Sequence, residues 1–248
     1  MAFNRYASIA GELRQQITTG MFSAGDQLPA ESELTKLFGA SRPTIRDALS
    51  VLENEGLIMR LHGRGNFVRH TSGQITYAAD SLSRERRAAV NAAIEVNVST
   101  KETAAGKELA SLLRTPPATA LIEYAFLSHH MKFPYALARV YVPCDVARVD
   151  VPRASGSPLG EDVLDLLEKA GVHVASSASR VTARLPDPEE AWALRIGAGT
   201  PVLGIERVST DSAGRVVEAS LLVLPGHSAE AVFTAHAPTP DPDLEGAR

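Results

Sequence analysis

The chain has 248 residues, 44% hydrophobic and 22% charged, a composition that excludes a disordered or collagen-like polypeptide. One cysteine, Cys144, excludes an internal disulfide framework or a cysteine-only metal cage. No apolar run approaches the roughly 20 residues that cross a bilayer, and a net charge of -4 argues at first sight against nucleic acid.

At about 100–200 residues per domain, the length indicates two modest domains. The start, MAFNRYASIAGELR, is charged and amphipathic, unlike a secretory signal. The cytoplasm is the expected compartment. Charge is unevenly placed: residues 1–70 hold 8 Lys and Arg against 7 Asp and Glu, the remainder 17 against 22. Within the first part, the run SRPTIR from Ser41 to Arg46 has two arginines, two hydroxyls and no acid.

Three helices follow from periodicity in residues 1–56. Ile9, Leu13 and Ile17 recur every fourth residue and predict a helix over about 6–19, which Gly20 and SAGDQLP end. Leu34, Leu37 and Phe38 mark a short second helix starting near Pro29, with Glu31 and Glu33 favourably placed in its first turn. Gly39-Ala40 turns the chain. Ser41 is the expected N-cap of a third helix, Pro43 fits its first turn, and Ile45, Leu49 and Leu52 form its buried stripe as far as Glu55 and Gly56. LIMRLHGRGNFVRH then reads as strand, turn at His62-Gly63-Arg64-Gly65, and strand.

Two helices joined by a tight glycine turn, followed by a two-stranded wing, form a winged helix-turn-helix. Arg42 and Arg46 are four residues apart on one helix face, opposite the apolar stripe, with Thr44 in the same exposed turn. Side chains at this end of a recognition helix reach base edges in the major groove, where arginine pairs bidentately with guanine. Ser41 and the free amides of the first turn suit a phosphate oxygen. Arg64, flanked by Gly63 and Gly65 and preceded by His62, suits a phosphate or a minor groove. The candidate DNA-binding residues are therefore Ser41, Arg42, Thr44, Arg46, His62, Gly63 and Arg64.

These residues carry a resemblance. The motifs GDQLPAESEL, SRPTIRDAL, LENEGLI and GRGNFV make residues 5–70 similar to the winged helix-turn-helix of the GntR family of bacterial transcription regulators. The resemblance implies DNA contacts at Ser41, Arg42, Thr44 and Arg46, with Gly63 as the wing residue entering the minor groove. Ser32 stands where many members have an arginine, and Pro43 replaces a residue that contacts DNA in some members.

Residues 71–88 are polar without a sustained apolar period and are expected to form a linker, although Ser81, Ser83, Arg84 and Arg87 offer the edge of a ligand site. Beyond them the pattern predicts a short strand at AIEVNV and a helix over about 100–113. ALIEYAFLSHH and FPYALARVYVP form a hairpin, and a helix spans about 159–170. HVASSASRVTARL is a strand or a strand pair. Asp187-Pro188-Glu189-Glu190 launches a helix to about Ile196, and a final hairpin turns at 211–214. This is an α+β domain on an antiparallel sheet. The Pro/Asp-rich tail 237–248 is expected to be disordered.

LARVYVP and DPEEAWALRIGAGTPVLGIERVSTDSAGRVVEAS resemble the UTRA domain of the HutC-type branch of that family, whose fold is similar to chorismate lyase. The resemblance covers about 89–234 and implies a homodimer whose second domain (89–236) binds a small effector. By its positions Phe126, Ser128 and Arg139 fall on the first hairpin of the pocket, and Glu218 keeps the usual acidic place. Ala138, and Pro225-Gly226-His227 where an Arg-Gly-Asp-like run is typical, remove charges and argue for an effector less charged than a phosphosugar, or an anion held by Ser81, Ser83 and Arg84.

Enzyme readings are poorly supported. His129 and His130 are adjacent on a strand and point to opposite faces, Cys144 lacks a nucleophile motif, and no phosphate-binding glycine loop is present. No metal or cofactor is expected. The expectation is a ligand-responsive regulator, a repressor, binding a palindromic operator as a homodimer. The alternatives are an enzyme of lyase-like fold and a DNA-binding module without a ligand.

Overall fold

The computed structural model describes residues 4–61, 63–69, 75–78, 94–130, 133–152 and 157–233. The N-terminal helices are α1 (Arg5–Thr18), α2 (Glu31–Phe38) and α3 (Arg42–Asn54). Ile9, Leu13, Leu34, Ile45, Leu49 and Leu52 converge with Ile58 and Val68 in one core, each such burial stabilising by roughly 1.5–3 kcal/mol. The periodic positions read from the sequence are thus the residues that meet, with one correction: Leu37, marked for the second helix, is exposed. An ion pair from Arg14 to Glu55, 2.6 Å, ties α1 to the end of α3.

The wing is β1 (Ile58–Leu61) antiparallel to β2 (Gly65–Val68), with Leu61 opposite Gly65. Its turn needs left-handed backbone, supplied by Gly63 at φ 71° and Gly65 at φ 104°. SAGDQLP, expected only to break the helix, also contributes to the wing. Gln27 bridges to Phe67, and Leu28 N donates to Asn66 O at 2.9 Å.

The second body is a six-stranded antiparallel sheet in the order β4-β5-β6-β9-β8-β7. Its strands are β4 (Ile94–Ala104), β5 (Ala120–His130), β6 (Phe133–Pro143), β7 (Ser176–Arg184), β8 (Val202–Thr210) and β9 (Val216–Pro225). Helix α5 (Asp162–Lys169) packs Val163, Leu164 and Leu167 against Tyr124, Phe126 and Val140 on one face. The other face is covered at one end by α4 (Lys107–Leu113), through Ala110 and Leu113, and at the other by α6 (Pro188–Leu194), through Leu194. Asp187 caps α6 as its motif predicts, accepting from Glu190 N at 2.8 Å.

Two expectations need correction. The helix foreseen from Thr100 starts only at Lys107, because Ile94–Ala104 pairs with β5 along its whole length. Val96, Val98, Thr100 and Thr103 are β-branched, and cross-strand pairing decides their conformation. Residues 71–88 were expected to be linker throughout, yet Ile75–Ala78 is strand β3, parallel to β10 (Ala229–Val232). Ile75 and Tyr77 are buried in the core beneath α5. Four residues are too few to reveal a period, and their partner strand lies near the other end of the chain. The remainder of the expected linker and the tail 237–248 lie outside the described residues.

Candidate nucleic-acid interface and buried polar site

Helix α3 presents its N-terminal end to solvent. Ser41 is in extended backbone, and its Oγ accepts from Thr44 N at 3.4 Å and lies 2.9 Å from Thr44 Oγ1. Ser41, Arg42 and Arg46 are exposed, and Thr44 is half-buried. The stretch without acids in sequence acquires one in space: Arg46 Nε donates to Glu31 Oε2 at 2.8 Å, from the first turn of α2. On the wing, Arg64 is exposed with its guanidinium carbon 5.8 Å from the Phe67 ring centre, and its carbonyl accepts from Gln27 Nε2 at 2.7 Å. Gly63 is exposed beside it, while His62 lies outside the described residues. Arg42 is thus an exposed cation with α3's free amides around it, an arrangement suited to DNA.

The candidate effector residues do not all meet. Phe126, Ser128 and Glu218 lie on the α5-covered face of the sheet. Phe126 is a fully buried core side chain, and Ser128 donates to Pro158 O at 2.9 Å. Arg139 needs correction: it points from the opposite face, 3.3 Å from Glu189 and 4.0 Å from Glu123. Strand alternation separates it from Glu218, so the two cannot share one cavity. Ser81, Ser83 and Arg84 lie outside the described residues.

Around Glu218 the structure assembles a group that sequence reasoning missed. Glu218 is fully buried and accepts from Ser209 Oγ at 2.8 Å, from Ser220 Oγ, and from Arg207 Nη2 at 3.4 Å. Arg207 also donates to Ser220 Oγ at 2.9 Å, and Ser177 Oγ lies 2.9 Å from Ser209 Oγ. Register produces this cluster, because Arg207 is opposite Ser220 and Ser209 opposite Glu218. Burial opposes the charge of Arg207, but the Glu218 carboxylate, with Glu161 and Tyr77, outweighs it and holds the pKa above its ordinary value. Among the described residues, Arg207 Nε has no hydrogen-bond partner. The overlooked signal was alternation: Glu218 and Ser220 share one face of an otherwise apolar strand, and Arg207 and Ser209 share one face of its neighbour.

A third polar group joins the two bodies. Arg69, just beyond β2, is buried and donates to Leu194 O at 3.1 Å and Arg195 O at 2.5 Å, the carbonyl end of α6. Its Nη1 lies 3.3 Å from His227 Nε2. Burial pushes Arg69 down to about 10, and burial reinforced by Arg69 pushes His227 down to about 4. The altered run Pro225-Gly226-His227 therefore does not simply remove charge from the effector site: its histidine serves this joint.

Exposed basic helix end, wing and sheet domain define a two-domain DNA-binding regulator, and comparison with known proteins agrees. Residues 5–68 match the bacterial regulatory proteins of the gntR family, and residues 92–230 match the UTRA domain. The Histidine utilization repressor of Pseudomonas putida is 30% identical over 236 residues, spanning 92% of each chain. The HTH-type transcriptional regulator Rv0792c of Mycobacterium tuberculosis is 29% identical over 221 residues, 85% of this chain and 78% of that one. PhnF from Mycobacterium smegmatis shares the fold, with a TM-score of 0.55 at 21% identity over 92% of this chain and 99% of that one. The chain belongs to the GntR family, in the branch that carries a UTRA domain. It is a transcription regulator of that type, not an enzyme. No helix among the described residues is long and apolar enough to cross a membrane.

Proposed function

We propose that the protein is a homodimeric, effector-responsive repressor that binds a palindromic operator in the bacterial cytoplasm. The carrying observation is the pairing, in one chain, of an exposed arginine-bearing helix end with a buried polar cluster under α5. Ser41, Arg42, Thr44 and Arg46 read one half-site, with Gly63, Arg64 and His62 at the wing tip. Two copies related by a twofold axis read the other half. The sheet face opposite α5 supports a dimer, because Leu185 and Trp192 beside it expose 60% and 83% of their surface. Repression is supported by relatives named as repressors, the Histidine utilization repressor and the transcriptional repressor NagR of Bacillus subtilis.

The effector site lies between the sheet and α5, around Glu218 and Arg207; Ser128 is on the same face but toward the other end of the sheet. Arg207 is matched there by Glu218, so the described residues offer no surplus cation. That balance suits an uncharged or zwitterionic metabolite better than a phosphate ester. Effector binding shifts the dimer between arrangements with differently spaced recognition helices, and a coupling of about 1–3 kcal/mol changes operator affinity roughly 5–150-fold.

Selection of bound duplexes from random DNA by the full chain tests the DNA half of this reading. An inverted repeat is expected; enrichment of no sequence, or of one without symmetry, would overturn it. Thermal shift of the full chain across neutral, zwitterionic and phosphorylated metabolites tests the effector half. Stabilisation confined to phosphorylated compounds would overturn the charge argument.

A further inference from the structure

The end of α3 opposite its DNA-facing turn docks on the effector domain. Thr200, fully buried at the turn before β8, donates from Oγ1 to Glu53 O at 3.3 Å. Gly197 and Gly199 flank it closely: a Cβ added at either would come within 2.9 Å of the Asn54 side chain. Next to them, Gly56 takes a left-handed φ of 72°, and a Cβ there would meet the His227 ring at 2.1 Å. Gly56 is therefore required twice, for its backbone and for the ring that covers it. Arg69 closes the group by capping the carbonyl end of α6 and touching His227. A cation at a helix carbonyl end is favourably placed.

The far side of this joint leads along β9 to the polar cluster near the strand's other end. His227 follows β9 by two residues, and β9 carries Glu218 and Ser220. One strand thus links the group proposed to sense the effector to the ring seated on the end of the recognition helix.

We infer that Arg69, His227, the Thr200–Glu53 hydrogen bond and the seat of Asn54 against Gly197 and Gly199 form an intramolecular latch that fixes the recognition helix on the effector domain. Its opening is the step by which the effector site alters operator affinity. Arg69 and His227 are positioning residues: they act through the orientation of α3. Latched, the exposed end of α3 stands in a defined place for a two-half-site operator. Unlatched, the domain must be ordered again on binding, which weakens the full site and leaves a single half-site unchanged. The inference rests on the palindromic, dimeric reading above only for its DNA consequence.

Two full-chain variants separate latch from fold. Arg69→Gln loses the carbonyl caps, and Gly199→Val wedges against Asn54 from the effector side while keeping Arg69 and His227. Backbone nitrogen-15 relaxation of DNA-free protein reads whether residues 5–68 tumble with the sheet domain. Common tumbling is expected for the wild type, and separate, faster tumbling with unchanged amide dispersion for both variants. Affinity for the selected inverted repeat should fall about tenfold, within the usual range of such couplings, with half-site affinity retained. Common tumbling in both variants, or equal losses on half-site and full site, would overturn the latch. If selection yields no inverted repeat, the dimeric operator reading fails, and the relaxation result alone decides the latch.

Discussion

Arg46 and Arg207 each face a glutamate, in opposite settings. Arg46, at the open end of α3, lies 2.8 Å from Glu31 with 59% of its side chain exposed. Arg207 lies 3.4 Å from Glu218 with side-chain exposures of 8% and 0%. The first pair exchanges freely with water, so its net worth is at most about 1 kcal/mol and the arginine can be surrendered to a phosphate or guanine. The second has no water to return to, and loss of either member strands a buried charge. The proposed DNA contact at the first therefore needs a weak pair, and folding at the second needs a strong one.

The sharpest way to break this contrast is Arg207→Met, which leaves Glu218 buried without its cation. A destabilisation of about 3–5 kcal/mol is expected by urea titration; a loss below ~1 kcal/mol would place both arginines in the same class. Arg42→Ala or Arg46→Ala should instead leave stability within ~0.5 kcal/mol of wild type. Each should cost about 1–3 kcal/mol of affinity for the selected duplex, read by fluorescence anisotropy.

Acidification probes a buried group of the joint. His227 is held down to about 4 from its ordinary 6.5 by burial and by Arg69, so the folded state prefers the neutral ring. Its contribution is complete above pH 6.5 and is lost as pH falls toward 4. Arg69 faces the ring; Glu53 acts on Arg69, and Arg195 lends the guanidinium its carbonyl. Wild type should therefore lose stability between pH 6.5 and 5 relative to His227→Gln, in paired thermal melts. Parallel pH profiles would contradict it. The smallest effect belongs to Glu31→Gln, which frees Arg46 and should tighten DNA binding by at most about 1 kcal/mol.

The two regions were unequally legible in the sequence. Helices of the first carry an apolar stripe at a 3.6-residue period, a serine cap and glycine stops, all local signals, and the residues that the period marks are those that pack together, save the exposed Leu37. The sheet domain depends on pairing between distant strands. β3 and β10 show no local sign of their parallel partnership, and β4 outcompeted a plausible helix only through its contacts with β5. The same holds at the sites. The places of Ser41 and Arg42 were readable because they follow from helix position. Arg207 escaped notice because its place follows from register, and Arg139 was misplaced because it lies on the other face of the sheet from Ser128 and Phe126. The joint of Arg69 with His227 joins positions far apart in the chain, and only the folded molecule brings them together.

The account stands most directly on sequence discrimination by the end of α3. The measurement is the ratio of affinities for the selected inverted repeat and a scrambled duplex of equal length, at one salt concentration, for wild type and the Arg42→Ala/Arg46→Ala double variant. A large ratio for wild type that collapses toward one in the variant, with both proteins equally stable, is the predicted result. A variant that keeps the wild-type ratio would contradict the assignment of these arginines to base reading.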